Sequence, residues 1–416
     1  MNNQIPVAPQ YIKDFEQLGF GMFVHYGLYS QLNSGEWTFR HKFNGKNMEE
    51  YQKLADTFNC VGMADIVSTA KKAGCKYVCL TTRHHEGFSL YDPCGLSDFN
   101  SLNSPASRDV VAEFVDECRK VDIVPFFYHT TLDWHHPDFE NDFDAYLDYL
   151  YKSVEILCTK YGKIGGLWFD GNWSKPDADW KEDQLYKMIH RLQPEAMVIN
   201  NTGLQARGEM GNPEIDSVTF ERGMAEPLDR RGKSKYMAGE MCETLCDHWG
   251  IADDINFKPV KTLIESLCNC RKVGANFLLN IGPNPDGTVP TMQKGIMECI
   301  GHWMDMYGTA IYNGRPYITY KDKKEFVLKD NFDDKIGYIF KFDLKFGTGD
   351  VNVSLDFEEN GANVLEKFVC EVESIKWMDN DEELIFSQKD DKLLVNFTGF
   401  SYGQSYCVRV AKVEFK

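Results

Sequence analysis

The sequence contains no apolar run of the roughly 20 residues that a helix needs to span a bilayer. Its start, MNNQIPVAPQYIKDFEQ, has neither the basic end nor the apolar core that is typical of a signal peptide. The 13 cysteines are spread from Cys60 to Cys407 without a compact disulfide framework. We therefore expect a reducing, cytoplasmic setting, although a leader removed beforehand would leave the same pattern.

The chain also lacks any run of lysine or arginine. It has 45 basic and 63 acidic residues, which gives a formal net charge of −18. Because polyanions repel such a surface, we expect neither nucleic acid nor an anionic membrane as a partner. Aromatic residues are abundant, with 8 Trp, 20 Tyr and 28 Phe. Most of these are expected in the core, and the rest offer flat faces for sugars or bases.

Eight short apolar runs recur along the first 300 residues, and amphipathic segments such as 64–74, 109–122, 145–162, 182–193 and 260–274 lie between many of them. Each run is rich in β-branched or aromatic residues, as buried parallel strands are. Alternating strands and helices predict a (β/α)8-type barrel over residues 1–315, irregular where the gap between strands six and seven is too short for a helix. The runs span 20–27, 77–85, 124–130, 166–171, 197–201, 217–222, 235–241 and 276–282.

The pattern changes after Gly314-Arg315-Pro316, and all ten histidines precede residue 303. Residues 316–416 alternate polar and apolar side chains with period two, which predicts an antiparallel β-sandwich domain. This region lacks the commonest acid/base side chain, so we expect it to be structural. The predicted strands are EFVLKD, KIGYIFKFD, VNVSLDF, KFVCEVESIKW, ELIFSQ, KLLVNF and YCVRVAKVEF.

Polar side chains follow each of the eight barrel runs at its carboxyl end. These ends meet at one mouth in a parallel barrel, where loops carry the functional groups. One converging polar site explains them better than eight separate strand caps, because buried polar groups need partners. The positions are His25-Tyr26, His84-His85-Glu86, Tyr128-His129, Trp168 to Gly171, Asn200-Asn201, Glu221-Arg222, Glu240 and Asn280.

Asp170 is the most informative of these positions, because it leaves the buried run GLWF directly before a glycine. An aspartate that merely caps a turn would give the same pattern. With a second carboxylate nearby, Asp170 would complete the pair that glycoside hydrolysis requires. Glu221 and Glu240 are the candidates for that second group. Four tryptophans in or next to the same loops offer faces for a sugar: Trp37, Trp134, Trp173 and Trp249.

A metal-dependent barrel hydrolase is the rival interpretation. The histidines have no His-x-His or His-x-x-x-His spacing that would support it. The rings of His84 and His85 also reach one pocket only if the extended chain breaks at Arg83 or Gly87. The ligands of such a site would come from His84, His85, Asp170, His135 and His136.

Several longer motifs occur in a specific order: FGMFVHYGLYS, GEW, AKKAGCKYVCLTTRHHEGFSLYD, DWHHP, GLWFDG, ETLCDHWGI and GANFLLNIGPNPDGTVP. With these motifs, roughly residues 10–315 resemble the α-L-fucosidases of glycoside hydrolase family 29. The resemblance implies a retaining exo-hydrolase that removes terminal α-L-fucosyl residues from fucosylated oligosaccharides or glycoconjugates. The reaction would pass through a covalent fucosyl-enzyme and would need no cofactor or metal.

The resemblance also implies roles for individual residues. Asp170 matches the nucleophile, and Glu221 in SVTFERG is our choice for the acid/base, with Glu240 in GEMCETLCDHWG as the alternative. Trp249 would lie under the apolar face and methyl group of the sugar. The residues that match those holding the fucose hydroxyls and ring are His25, Glu36, Trp37, His84, His85 and Tyr128.

The chain departs from the family pattern after strand five. Many family members have an arginine there that contacts the sugar, whereas this chain reads Asn200-Asn201-Thr202. That contact is therefore lost or is supplied by Arg207 or Arg222. A lectin-like barrel that binds fucose without turnover is a further alternative, although a lectin needs no nucleophile. The oligomeric state is open, and the C-terminal β region offers an interface for a homo-oligomer.

Overall fold

The computed structural model describes residues 4–321, 323–344 and 361–416. Eight parallel strands form a closed barrel in chain order, because β8 pairs with β1 as well as with β7. This confirms the predicted barrel: seven of the eight apolar runs contain one of its strands, and the run 235–241 overlaps β7. The strands are β1 Phe20–Val24, β2 Tyr77–Arg83, β3 Val124–Thr130, β4 Gly166–Asp170, β5 Met197–Asn200, β6 Ser217–Glu221, β7 Ala238–Thr244 and β8 Asn276–Ile281.

Helices follow most of these strands along the chain, and their apolar positions recur at helical spacing. Residues 201–216 and 222–237, both described throughout, contain no helix. The predicted irregularity after strand six is therefore confirmed, and the same irregularity occurs after strand five. The helices are α1 Gln10–Leu18, α2 Thr38–Lys42, α3 Met48–Gln52, α4 Ala64–Lys72, α5 Val110–Lys120, α6 Asp138–Asn141, α7 Phe143–Lys160, α8 Glu182–Leu192, α9 Val260–Lys272 and α10 Thr291–Asn313.

The alternation of side chains along each strand determines which residues reach the barrel interior. Trp168 on β4 and Ile199 on β5 belong to the interior cluster. Two residues further along the same side, Asp170 and Asn201 lie at the carboxyl ends of these strands. Glu221 holds the equivalent place at the end of β6.

One strand ends later than the sequence indicated. β7 continues to Thr244, so Glu240 is its third residue and not its last. The prediction that Glu240 ends strand seven is therefore wrong. The cause is the polar composition of β7: Gly239, Glu240 and Glu243 interrupt the apolar run although most of the strand is buried.

The C-terminal residues form two antiparallel sheets with a shared apolar core that includes Trp377, Leu393 and Phe415. This confirms the predicted antiparallel β fold. Six predicted strands overlap observed ones, β9 and β12 were missed, and VNVSLDF lies outside the described residues. The orders are β13-β16-β11-β10-β9 and β12-β15-β14, with β9 Gly314–Thr319, β10 Phe326–Asp330, β11 Ile336–Phe342, β12 Gly361–Leu365, β13 Val372–Trp377, β14 Phe386–Lys389, β15 Lys392–Phe397 and β16 Val408–Phe415.

The chain divides into two compact units. One comprises residues 1–258 and 275–298, and the other comprises residues 259–274 and 299–416. The domain boundary after residue 315 stays a prediction. Within the described residues, no helix is long and apolar enough to cross a membrane. All 13 cysteines lie in the described part and are free thiols.

Candidate active site

A cavity of about 640 Å³ opens at the carboxyl ends of the barrel strands. Phe23 and Trp168 lie at its apolar end, where their rings meet edge to face with centroids 5.0 Å apart. Polar side chains from the ends of β1 to β6 therefore converge on the cavity, whereas Glu240 and Asn280, predicted for the ends of the last two strands, are not among its lining residues. The remaining lining residues are His25, Glu36, Trp37, His41, His84, His85, Tyr128, Asp170, Trp173, Asn201, Thr202, Gly203, Leu204, Gln205, Glu221, Arg222 and Trp249.

Asp170 ends β4 and accepts hydrogen bonds on both of its carboxylate oxygens. Tyr128 donates its hydroxyl to Oδ2 at 3.0 Å, and His85 Nε2 lies 3.4 Å from the same oxygen. Trp173 Nε1 donates to Oδ1 at 2.8 Å, and Asn201 Nδ2 donates to it at 3.2 Å. Burial alone would raise the pKa of Asp170, but the bonds from its neighbours outweigh burial and lower that pKa. The group is thus an oriented carboxylate at neutral pH.

Glu221 ends β6 and faces the same cavity. Its Oε2 accepts a hydrogen bond of 2.8 Å from Asn201 Nδ2. Burial and the nearby charge of Asp170 raise the pKa of Glu221 to about 7, although Asn201 and two arginines act in the opposite direction. Two carboxyl groups with opposite pKa shifts therefore meet at the mouth. This is the arrangement by which glycosidases separate a nucleophile from a proton donor.

Glu240 does not line the cavity. It is 1% exposed and accepts hydrogen bonds from Tyr77 Oη at 2.5 Å and Trp168 Nε1 at 2.9 Å. Burial raises the pKa of Glu240 to about 7, against the effect of these two bonds. Its carboxyl group therefore holds residues of the barrel interior, including the tryptophan at the apolar end of the cavity.

His25 is held in one tautomer by its partner. Asn280 donates Nδ2 to the carbonyl oxygen of Trp249 at 2.6 Å, which leaves its Oδ1 to accept from His25 Nδ1 at 2.7 Å. Burial lowers the pKa of His25 to about 4, so the ring is neutral at physiological pH. Because the Nδ1–H is used in this bond, Nε2 carries the lone pair and is available as an acceptor for a hydroxyl in the cavity.

The two adjacent histidines both line the cavity. β2 ends at Arg83, and Gly87 takes a positive φ of 85°. The predicted break in the extended chain is therefore present on both sides of the pair, and the two rings lie 4.2 Å apart. Burial lowers the pKa of His84 well below its usual value. His85 Nδ1 bonds to Thr130 Oγ1 at 2.7 Å.

Glu36 lies in the loop after β1 and forms hydrogen bonds with the loop that carries Trp249. Its Oε2 accepts the backbone N–H groups of Trp249 and Gly250 at 3.1 and 2.9 Å. Trp249 then packs on His25, with ring centroids 5.1 Å apart. Trp37 stacks on Trp173 at 5.9 Å and forms another aromatic wall.

The histidines proposed as metal ligands do not all lie at the cavity. His135 stacks on Phe99 and His136 packs on Tyr149, with ring centroids 4.6 and 4.3 Å apart, and neither histidine lines the cavity. Across residues 4–321, 323–344 and 361–416, no three His, Cys, Asp or Glu side chains are grouped as metal ligands.

The two arginines considered after strand five differ in position. Arg207 donates to the backbone carbonyl oxygens of Glu221 and Arg222 and does not line the cavity. Arg222 does line it, and its guanidinium group lies 5.9 Å from the centre of the Trp249 ring. In the sequence, Asn201 is marked only as a strand end, and no motif marks His41, Leu204 or Gln205, which also line the cavity.

A family model for α-L-fucosidase matches residues 5–309 of this sequence. The chain belongs to the α-L-fucosidase family. It is similar to tissue α-L-fucosidase of Bos taurus, with 29% identity over 344 residues that cover 74% of this chain and 70% of the relative. It is also similar to tissue α-L-fucosidase of Mus musculus, with 28% identity over 347 residues, 76% of this chain and 74% of the relative.

Solved structures of α-L-fucosidases have the same fold. Isoenzyme 1 of Paenibacillus thiaminolyticus has a TM-score of 0.81 and 27% identity and covers 98% of this chain and 99% of its own. A family 29 enzyme from Bacteroides thetaiotaomicron, solved as a trapped covalent intermediate with 2-fluoro-fucosyl fluoride, has a TM-score of 0.81 and 22% identity, covering 100% and 98%. The predictions of an α-L-fucosidase and of a barrel followed by antiparallel sheets are confirmed.

Proposed function

We propose that this α-L-fucosidase is a retaining exo-enzyme that removes terminal α-L-fucosyl residues from fucosylated oligosaccharides or glycoconjugates. Asp170 is the nucleophile and Glu221 is the acid/base. One observation carries the proposal: Asp170 Oδ1 and Glu221 Oε2 both bond to Asn201 Nδ2, at 3.2 and 2.8 Å. These oxygens can be no further apart than the sum of the two distances, 6.0 Å. Retaining enzymes place their carboxyl groups about 5–5.5 Å apart and inverting enzymes about 6.5–9.5 Å apart.

The opposite pKa shifts of the two groups support this division of roles. Asp170 is charged at neutral pH because donors surround it, as a nucleophile requires. Glu221, with its pKa raised to about 7, keeps a proton over much of the acidic to neutral range. Glu240 is the weaker choice for the acid/base, because it lies outside the cavity lining and has both oxygens occupied.

The reaction then has two displacements. Asp170 attacks the anomeric carbon and forms an ester with it, while the bond to the leaving oxygen breaks and Glu221 gives that oxygen its proton. In the second step Glu221, now a carboxylate, takes a proton from water, whose oxygen replaces Asp170 at the anomeric carbon. Two inversions return the original configuration. The covalent intermediate described for the Bacteroides thetaiotaomicron enzyme is consistent with this order of reaction steps.

The remaining lining residues suit a small terminal sugar. His25 is placed to accept a hydroxyl group with Nε2, because its Nδ1 is bonded to Asn280. Glu36 is also placed to bind a hydroxyl group, while its Oε2 accepts from the backbone of the Trp249 loop. Trp249 offers a flat face for the apolar side and methyl group of fucose. Arg222 is the arginine placed to replace the family contact after strand five. The other proposed sugar-binding residues are Trp37, His84, His85 and Tyr128.

The stereochemical course of hydrolysis tests the proposal. Proton NMR of an aryl α-L-fucoside during turnover is expected to show the α anomer of fucose first, with the β anomer appearing later by mutarotation. Initial release of the β anomer would contradict the retaining mechanism. Binding of fucose by calorimetry without any hydrolysis would contradict the proposed activity itself. The cytoplasmic location and a homo-oligomeric state stay predictions.

A further inference from the structure

The side chain of Asn201 lies between the two carboxyl groups of the site. Its Nδ2 donates to Asp170 Oδ1 at 3.2 Å and to Glu221 Oε2 at 2.8 Å. An amide NH2 group has two hydrogens, so both bonds form at the same time. Asn201 is 5% exposed, and it comes directly after β5, whose neighbours in the barrel are the strands that carry Asp170 and Glu221.

The orientation of this amide is determined by its other end. Asn201 Oδ1 accepts the hydroxyl of Thr219 and the backbone N–H of Gly203, each at 3.1 Å. A flipped amide would direct its NH2 group at these two donors and its oxygen at the two carboxyl groups. The NH2 group would then face the backbone N–H of Gly203, and the amide oxygen would face the Asp170 carboxylate. Because both of these interactions are unfavourable, the surroundings hold the NH2 group toward the carboxyls.

We propose that Asn201 is a positioning residue that sets the spacing of Asp170 and Glu221 and whose hydrogen bonding shifts between them as their charges change. This inference rests on the proposed function. Before the first displacement, Asp170 is the carboxylate and Glu221 is protonated. After it, Asp170 is a neutral ester and Glu221 is the carboxylate. Because charged acceptors form stronger hydrogen bonds, the same NH2 group stabilises Asp170 in the first state and Glu221 in the second.

Removal of the Asn201 amide is expected to change the pH dependence of the reaction. An N–H donor favours the carboxylate form of Glu221, so removing the donor raises the pKa of that group. The alkaline limb of kcat/KM, where the acid loses its proton, then moves to higher pH. The other titratable or charged groups that face Glu221 are Asp170, Tyr128, Cys242, Arg207 and Arg222. A substitution at Asn201 leaves these side chains in place, but it also removes the bond to Asp170 Oδ1.

The test compares Asn201→Ala and Asn201→Asp with the unmodified enzyme on an aryl α-L-fucoside. We expect kcat/KM to fall about 10- to 100-fold in Asn201→Ala, as the loss of a bond to a charged group implies. The alkaline limb of this variant is expected to shift to higher pH by about one unit. Asn201→Asp keeps the oxygen that accepts from Thr219 and Gly203 but directs a second oxygen at the carboxyls, so its limb should rise further. This near-isosteric variant also decides the question if Asn201→Ala does not fold.

Asn200→Ala is the matched control. Asn200 is the preceding amide, but its Nδ2 donates to Glu182 and Tyr186 at 2.9 and 2.7 Å, away from the cavity. Its removal affects folding stability and should leave the alkaline limb unchanged. An alkaline limb at the same pH in both Asn201 variants as in the unmodified enzyme would overturn this inference. The proposed function would still be supported if the unmodified enzyme released the α anomer first. Failure of the unmodified enzyme to hydrolyse the fucoside would overturn both.

Discussion

Trp173 donates its indole N–H to Asp170 Oδ1 at 2.8 Å from a position three residues further along the chain. Gly171 lies between the two residues, and its φ of 126° favours glycine. This conformation lets the chain turn back so that Trp173 reaches Asp170. A Cβ at Gly171 would lie 2.5 Å from the backbone nitrogen of Leu132. The turn that orients Asp170, the proposed nucleophile, is therefore part of the β4 end itself.

Replacing Trp173 with Phe keeps most of the ring and removes this donor. We expect kcat/KM to fall about tenfold, because a hydrogen bond to a charged group is lost. The pKa of Asp170 should also rise, since the Trp173 bond lowers it. The acidic limb of the pH profile would then move to higher pH. Trp180→Phe is the control, because Trp180 Nε1 donates to the Lys175 carbonyl oxygen and Trp180 does not line the cavity. Equal effects of the two substitutions would contradict this role of Trp173.

The alkaline limb of the pH profile belongs to Glu221 in this account. Because the acid must be protonated, kcat/KM of the unmodified enzyme should fall as the pH rises through about 7, the raised pKa of Glu221. Glu221→Gln should abolish that limb. Its activity should fall about 10²- to 10⁴-fold on a fucoside with a poor leaving group and far less on an activated aryl fucoside. Glu226→Gln, an exposed glutamate five residues further along, serves as the control. A limb that persists in Glu221→Gln would rule out Glu221 as the acid.

Glu240 is expected to matter for stability and not for proton transfer. Glu240→Ala leaves the buried Tyr77 hydroxyl and the Trp168 N–H without their acceptor, which should cost about 3 kcal/mol in urea unfolding. The alkaline limb and the dependence on the leaving group should stay as in the unmodified enzyme. If Glu240→Gln instead showed a loss confined to poor leaving groups, the acid/base assignment would move to Glu240.

The barrel was predictable from the sequence because its strands are buried on both sides and so read as continuous apolar runs. β7 is the exception, because its end could not be predicted from hydropathy alone. Glu240 is buried in that strand only because Tyr77 and Trp168 reach it from β2 and β4, and a hydropathy pattern contains no information about donors on other strands. A glutamate near the end of an apolar run was therefore placed at the mouth.

The candidate site was predictable in part for the same reason. Parallel strands bring their carboxyl ends together, so Asp170 and Glu221 could be placed near each other from their positions alone. The bridging role of Asn201 could not be predicted. It depends on the exact register of β5 beside β6, which places Thr219 against the amide oxygen. His135 and His136 form a sequence pair, but their rings pack on aromatic residues away from the cavity.

Removal of Asp170, the proposed nucleophile, should cause a severe loss of activity that an added nucleophile partly reverses. Asp170→Gly is expected to lower kcat on an aryl fucoside by roughly 10⁴-fold or more, because the first displacement has no attacking group. Azide is small enough to take the vacated place and should partly restore turnover. Asp177→Gly, an exposed aspartate in the loop after β4, should keep activity near that of the unmodified enzyme. Full activity in Asp170→Gly would refute the nucleophile assignment.

The central claim is that Asp170 forms a covalent bond to the anomeric carbon, and covalent trapping measures this directly. The enzyme is incubated with 2-fluoro-fucosyl fluoride, digested at low pH and analysed by peptide mass spectrometry, with Glu221→Gln as a variant that slows release of the adduct. We expect one added 2-fluoro-fucosyl group, on the peptide that contains GLWFDG and at Asp170. An adduct on another side chain, or none while the enzyme still turns over, would contradict it.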